Sequence, residues 1–289
     1  ALYRSRVAGQ WLDWVGTGTP ENMQDIFEQF QLEGKLDTIS KETGNPDKGF
    51  IQEFEIKIYE AQDTHPKPGP NAKILDVPFI YQNYKYPTGC ESVSAVMALQ
   101  YFGINISADT FIDAYLDKGP IPVPDPYGGY GPDPDKYFGG DPRDPDSWGC
   151  FAPCIVNALD KFMDKSKFSY PAEYNVPLEE LCKKYIDKGI PVIIWATMDM
   201  VDSSDPKWTW TWTTPEGKHV DFNNFNHCVL LVGYDDNSYF INDPMHMNYD
   251  GAKFTGYLKS EVEQAYNVNN RQSIAIVPKT EPEPSPVPG

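Results

Sequence analysis

Cys90, His227 and Asp243 are the residues of this chain whose types and surroundings suit nucleophilic chemistry. Cys90 closes the run Gln82-Asn-Tyr-Lys-Tyr-Pro-Thr-Gly and opens Glu91-Ser-Val-Ser-Ala-Val-Met, so it stands where a glycine turn meets the start of a helix. A thiol there faces unpaired backbone N–H groups and the positive end of the helix dipole, both of which favour thiolate. A lone cysteine reads first as a core thiol, and it gains catalytic meaning only with a histidine and an orienting acid downstream. The histidines are His65, His219, His227 and His246, and His227 is the one that opens a buried-looking strand, His-Cys-Val-Leu-Leu-Val-Gly-Tyr. Asp243, sixteen residues later, ends the second strand Tyr239-Phe-Ile-Asn-Asp just before Pro244. By itself Asn242-Asp243-Pro244 is a turn; opposite an imidazole, its carboxylate can fix the ring and its tautomer. Gln82, upstream of the thiol, is either a solvated loop amide or a donor that joins the Cys90 N–H in holding an oxyanion.

These four residues need particular elements to position them. Val93, Val96, Met97 and Tyr101 recur at helical spacing and predict a helix from Cys90 with one apolar face, stopped at Gly103. The run from His227, the turn residues Asp235-Asp-Asn-Ser and the strand at Tyr239 predict a hairpin that returns Asp243 towards His227.

In the order Gln, Cys, His, Asp the chain resembles papain-like cysteine peptidases. More narrowly, five stretches are similar to bacterial peptidases related to the bacteriocin-processing (double-glycine leader) peptidases, in their free-standing, peptidase family 39-like form. They are Asp76-Val-Pro-Phe-Ile-Tyr-Gln, Tyr86 to Met97, Trp148-Gly-Cys-Phe-Ala-Pro, Gly189-Ile-Pro-Val-Ile-Ile-Trp and Asn226-His-Cys-Val-Leu-Leu-Val-Gly-Tyr-Asp. The resemblance implies an α/β (α+β) papain-like core, its nucleophile helix packed on an antiparallel sheet. It also implies Cys90 as nucleophile, His227 as base and acid, Asp243 as orienter and Gln82 as oxyanion donor, acting on peptide or protein substrates without a cofactor. The bacteriocin-processing members are usually fused to membrane transporters, whereas no apolar run here reaches the eighteen or so residues that span a bilayer, so leader-peptide specificity is not carried over.

Trp208, Trp210 and Trp212 alternate, which predicts one strand face carrying all three indoles. With Trp148 they form a candidate substrate platform, and packing against the core is an equal reading. The segment 119–149 is rich in aspartate, proline and glycine. Its spacing matches no calcium loop, and it reads as a long cleft loop with no metal site. Cys150, Cys154, Cys182 and Cys228 declare neither a disulfide framework nor a zinc pattern, and Cys228 reads as core on the strand face opposite His227.

The 289 residues are 40% hydrophobic with a net charge of −18, enough for a good-sized domain plus a small one. That charge, with no basic cluster to offset it, argues against nucleic acid and anionic membranes as partners. Residues 1–62 read as a small β-rich module, 63–72 as a proline-rich linker, 73–278 as the peptidase domain and 279–289 as a proline-rich tail or linker. Tyr3, Trp11, Trp14, Gly16 and the strand at Phe50 resemble the tryptophan-containing surface repeats of clostridial exported proteins, which implies a cell-surface ligand; the same tryptophans also suit the core of a small domain. The tail composition and the alanine at position 1 lead to the expectation of an exported, extracellular or surface-held bacterial protein. Two other functions fit the same chain: a catalytically silent surface-binding module, and a transglutaminase-like amide transfer.

Overall fold

The computed structural model describes residues 65–82, 85–245 and 253–279, together with the backbone of four strands in residues 2–57. The indoles and phenol expected to mark a surface repeat, and the tail from 280, lie outside the described residues. Two compact units are present, residues 1–64 with 247–249 and residues 65–246 with 250–289. In the first, β1 (Leu2–Val7) pairs antiparallel with β2 (Gln10–Trp11), β3 (Val15–Gly16) and β4 (Ile51–Lys57), the last in the register Tyr3↔Ile56.

The second unit runs through β5 (Lys73–Ile74), α1 (Cys90–Tyr101), α2 (Ala108–Ala114), β6 (Lys118–Gly119), β7 (Phe138–Gly139), α3 (Ala152–Asp160), β8 (Phe168–Ser169) and β9 (Ala172–Glu173). It continues with α4 (Leu178–Lys184), β10 (Val192–Thr197), β11 (Thr209–Thr213), β12 (His219–Asn223), β13 (Asn226–Tyr234), β14 (Ser238–Asn242), β15 (Thr255–Leu258), α5 (Lys259–Val268), β16 (Ser273–Ala275) and β17 (Val277–Pro278). The main sheet has the order β15-β14-β13-β10-β16-β9, with β5 also on β13, and every pairing in it is antiparallel.

Both faces of this sheet are covered, which explains why its central strands read as unbroken apolar runs instead of alternating ones. Ile193, Trp195, Cys228, Leu230 and Val232 join α1, α2 and α3 in one core. Val192, Ile194, Ala196, Val229 and Leu231 join α4 and α5 in a second.

The helix that opens at Cys90 departs from its one-faced prediction. Every residue of α1 from Cys90 to Leu99 is buried, Glu91, Ser92 and Ser94 included. Sequence periodicity reports a helix packed on one side, whereas here α2, α3 and the segment before α3 enclose it from the other. The helix stops as expected: Gly103 takes φ +75°, its N–H donates to Gln100 O at 2.9 Å, and the Ile104 N–H donates to Leu99 O at 3.0 Å. A left-handed residue closing two carbonyls in this way ends the helix at a position where a side chain would be strained.

Candidate active site

The turn before Cys90 is tight for a steric reason. The Tyr86 N–H donates to Gln82 O at 3.0 Å and the Gly89 N–H to Tyr86 O at 2.9 Å. A Cβ on Gly89 would lie 2.9 Å from Tyr86 Cβ and 3.1 Å from Pro142 Cβ, so no larger residue fits without movement. Cys90 follows as the first helical residue, its N–H among those with no acceptor one turn back.

The thiol is enclosed. Its Sγ–H donates to Glu91 Oε2 at 3.3 Å, and the backbone N–H of Cys228 reaches the sulfur from β13. The Ser94 hydroxyl donates to Cys228 O at 3.1 Å, fastening the helix to that strand. Burial first, then the neighbouring Glu91 charge, pushes the resting thiol well above its ordinary pKa. The helix terminus alone predicted the opposite direction; desolvation of the charged form outweighs it.

His227 and Asp243 are brought together by the hairpin. The register Leu230↔Asn242 and an irregularity between Leu231 and Gly233 return Asp243 to the His227 end of the sheet. His227 Nε2 lies 2.7 Å from Asp243 Oδ1, and both side chains are almost wholly buried. Oδ1 also accepts the Met245 N–H at 3.0 Å, and the Tyr257 hydroxyl donates to Oδ2 at 3.4 Å. Burial lowers the imidazole pKa, but the charge of Asp243 and its hydrogen bond outweigh this and leave it raised. With Nε2–H held by the carboxylate, Nδ1 presents a buried lone pair that has no hydrogen-bond partner.

Gln82 bridges the two halves. Its backbone N–H donates to Pro244 O at 2.9 Å, directly after Asp243, and its Nε2 donates to Pro87 O at 3.0 Å, in the turn before Cys90. Its Oε1 is buried without a partner.

Glu91 is the member that the sequence did not announce. It is fully buried, and its Oε1 accepts the Cys150 N–H at 2.8 Å while Oε2 accepts the Cys90 thiol. Burial pushes its carboxyl up to about 7, against the opposing pull of the Cys150 N–H, its own N–H, the thiol and His227. The available signal was an acid in the first turn of a helix whose other positions are almost all apolar or small.

The tryptophans divide. Trp208 sits in a 3-10 turn (Pro206–Trp208) before β11 and meets Phe225 edge-on with ring centroids 5.1 Å apart, so it does not share the strand face. Pro206 sets that turn, and alternation begins only after it. Trp210 and Trp212 do share a face and both meet Trp148, at 4.8 and 5.4 Å. Trp212 is buried, its indole N–H donating to Pro132 O at 2.9 Å, whereas Trp210 is exposed. A cavity of about 600 Å3 lies between the 118–137 segment and Thr213–Glu216, and none of the four residues around the thiol lines it. All five cysteines are free. Among the described residues no group of three His, Cys, Asp or Glu side chains is placed to hold a metal ion, and no helix is long and apolar enough to cross a membrane.

Residues 74–274 match the Peptidase C39 like family. The chain belongs to that family. The matched span contains Gln82, Cys90, His227, Asp243, Trp148, Trp208, Trp210 and Trp212. YvpB, an uncharacterized protein of Bacillus subtilis, is 27% identical over 215 residues, covering 71% of this chain and 76% of its own length. The crystal structure of a Bacillus anthracis protein assigned to the C39-like peptidases is similar with a TM-score of 0.61 at 25% identity, over 72% of this chain and 99% of that one. The peptidase domain of Streptococcus ComA, a bi-functional ABC transporter involved in quorum sensing, matches at 15% identity and a TM-score of 0.38, over 72% of this chain and 99% of that domain. The mixed helix and antiparallel sheet of this C39-like protein is thus the papain-like fold of its structural neighbours.

Proposed function

We propose that this C39-like protein is a cysteine peptidase that hydrolyses peptide bonds through Cys90, His227, Asp243 and Gln82. The observation that carries the reading is the buried imidazole held through Nε2 at 2.7 Å from Asp243 while Nδ1 stays unpartnered, on the strand whose next residue touches the Cys90 sulfur. The Cys90 proton passes to His227 Nδ1, and the sulfur bonds to the substrate carbonyl carbon. The second N–H of the Gln82 amide and the Cys90 backbone N–H stabilise the oxyanion that forms. The C–N bond then breaks as His227 returns its proton to the leaving amine. Water, relieved of a proton by His227, next cleaves the thioester, releasing a carboxylic acid and restoring the thiol. Trp148 and the exposed Trp210 offer apolar surface to substrate side chains.

Alkylation by iodoacetamide at about pH 6, with the modified cysteine located by mass spectrometry, tests this reading. Rapid modification of Cys90 alone, slowed by about a hundredfold in His227→Ala, is the expected result. Equal, slow modification of all five cysteines would refute it and leave the fold as a binding module. Export is part of the proposal, supported by the proline-rich composition from Pro278, and is tested by locating the protein in cell fractions and culture medium.

A further inference from the structure

Glu91 is in direct hydrogen-bond contact with the Cys90 sulfur. Both carboxyl oxygens are engaged, one by the thiol at 3.3 Å and one by the Cys150 N–H at 2.8 Å, and no part of the side chain is exposed. The loop that supplies that N–H is shaped for the purpose. Gly149 has φ +128°, and a Cβ there would fall 2.4 Å from Glu91 Oε1, so only glycine lets the backbone close over the carboxylate. A buried carboxylate beside a nucleophile is costly, and a purely structural anchor for one N–H would be served as well by a glutamine.

We propose that Glu91 is a further catalytic residue of this site: protonated, it donates Oε2–H to the Cys90 thiolate, and ionised, it holds Cys90 as the thiol. The proposal rests on the peptidase reading above. In the first state the Cys90 proton has moved to His227 Nδ1 and the sulfur is stabilised by Glu91 Oε2–H and the Cys228 N–H. In the second the proton stays on sulfur, shared towards Oε2. The groups facing Glu91 decide which state wins. They are Cys90 on its own helix, the Cys150 N–H and thiol on the loop, and His227 and Cys228 on β13, with Asp243 behind the imidazole. A thiolate, Asp243 and an ionised Glu91 against a single imidazolium leave two negative charges in one enclosed space, whereas a neutral Glu91 leaves one. Burial pushes the Glu91 carboxyl up to about 7, so the change falls in a range where enzymes work.

The test is the rate of Cys90 alkylation by iodoacetamide across about pH 5 to 9 in the full chain, in the parent, Glu91→Gln and His227→Ala. Glutamine copies the protonated acid at every pH, accepting from Cys150 and donating to sulfur. Below about pH 6 the parent and Glu91→Gln are expected to agree within about twofold. Above about pH 8 the glutamine variant is expected to react about tenfold faster, the effect of removing one adjacent negative charge. Superimposed profiles for these two would overturn the role of Glu91 while leaving the peptidase reading standing. A parent profile identical to that of His227→Ala would overturn the peptidase reading and this proposal with it. If Glu91→Gln does not fold, infrared difference spectra of the parent between about pH 6 and 8 decide the matter. A carboxylic C=O band lost with rising pH and shifted on alkylation of Cys90 supports the proposal, and its absence refutes it.

Discussion

The ground around the thiol and the aromatic-and-loop region next to it are built on different principles. Cys90, Glu91, His227 and Asp243 are all buried, and apart from His227 Nδ1 their side-chain polar atoms find partners within the protein. The loop region beside them leans on ion pairs that reach solvent on at least one side, Lys118–Asp141, Lys218–Asp135, the Arg143 group and Lys218 with the buried Asp133, around a small separate core of Trp212, Val220 and Phe222. In the first region each group has one solution, because an unmatched polar atom in low dielectric costs far more than it does in water. In the second, water substitutes for a missing partner at the exposed pairs. Substitutions should therefore separate the two sharply.

The largest effect is expected at Asp243. Asp243→Ala leaves the imidazole of His227 buried with neither its charge partner nor its tautomer lock. On the proposed mechanism, peptide cleavage falls about a hundred- to ten-thousand-fold, and stability falls by about 3–5 kcal/mol, the cost of breaking a buried pair from one side. Cleavage assays and urea unfolding measure the two losses. Retention of full activity would show that the hairpin positions His227 without its acid.

Next come the two tryptophans of β11, a comparison inside the second region. Trp212 is closed in by Trp148 and Phe222, and its N–H is satisfied by Pro132 O. Trp212→Ala should cost about 3–5 kcal/mol in unfolding experiments. Trp210→Ala, on the same face but exposed, should cost less than about 1 kcal/mol while raising KM for peptides with apolar side chains. Equal destabilisation by both would place Trp210 in the core and remove it from the substrate surface.

How much of this could be read before the fold was known follows the same division. The Cys90 turn, the Gly103 stop and the hairpin from His227 to Asp243 are local in sequence, each set by glycine, by apolar runs or by turn residues within about twenty positions. Glu91 was invisible for the opposite reason. An acid in the first turn of a helix reads as a solvated group favoured by the dipole. What buries it is the backbone of Gly149 and Cys150, 59 residues away from Glu91 at the hydrogen bond. The all-round burial of α1 and the raised thiol were hidden likewise, since periodicity records one packed face and not the second layer laid over it. Trp208 leaves the strand face for a local reason, the proline two positions before it.

The two regions should also respond to pH with opposite signs. Glu91 is raised in the folded state from 4.5 to about 7, so its contribution is present below about pH 4.5 and is lost as pH rises through 7. Glu91→Gln should therefore gain about 1–3 kcal/mol over the parent at about pH 8 and little at about pH 5. On the surface the direction reverses. Lys85 first, and then Arg143, hold Asp109 down at about 2, so its contribution is present above its unfolded pKa near 3.8 and fades as pH falls through 2. Arg143 also reaches Asp113 at 3.0 Å and Asp141 at 3.6 Å, yet every one of these carboxylates is substantially solvated. Screening and side-chain entropy hold the whole group to less than about 1 kcal/mol, so Arg143→Ala should shift the urea midpoint slightly at neutral pH and not at all below about pH 2. An Arg143→Ala loss as large as that of Asp243→Ala would mean that the loop region is held by the same enclosed electrostatics as the site, and the distinction between the two would fall.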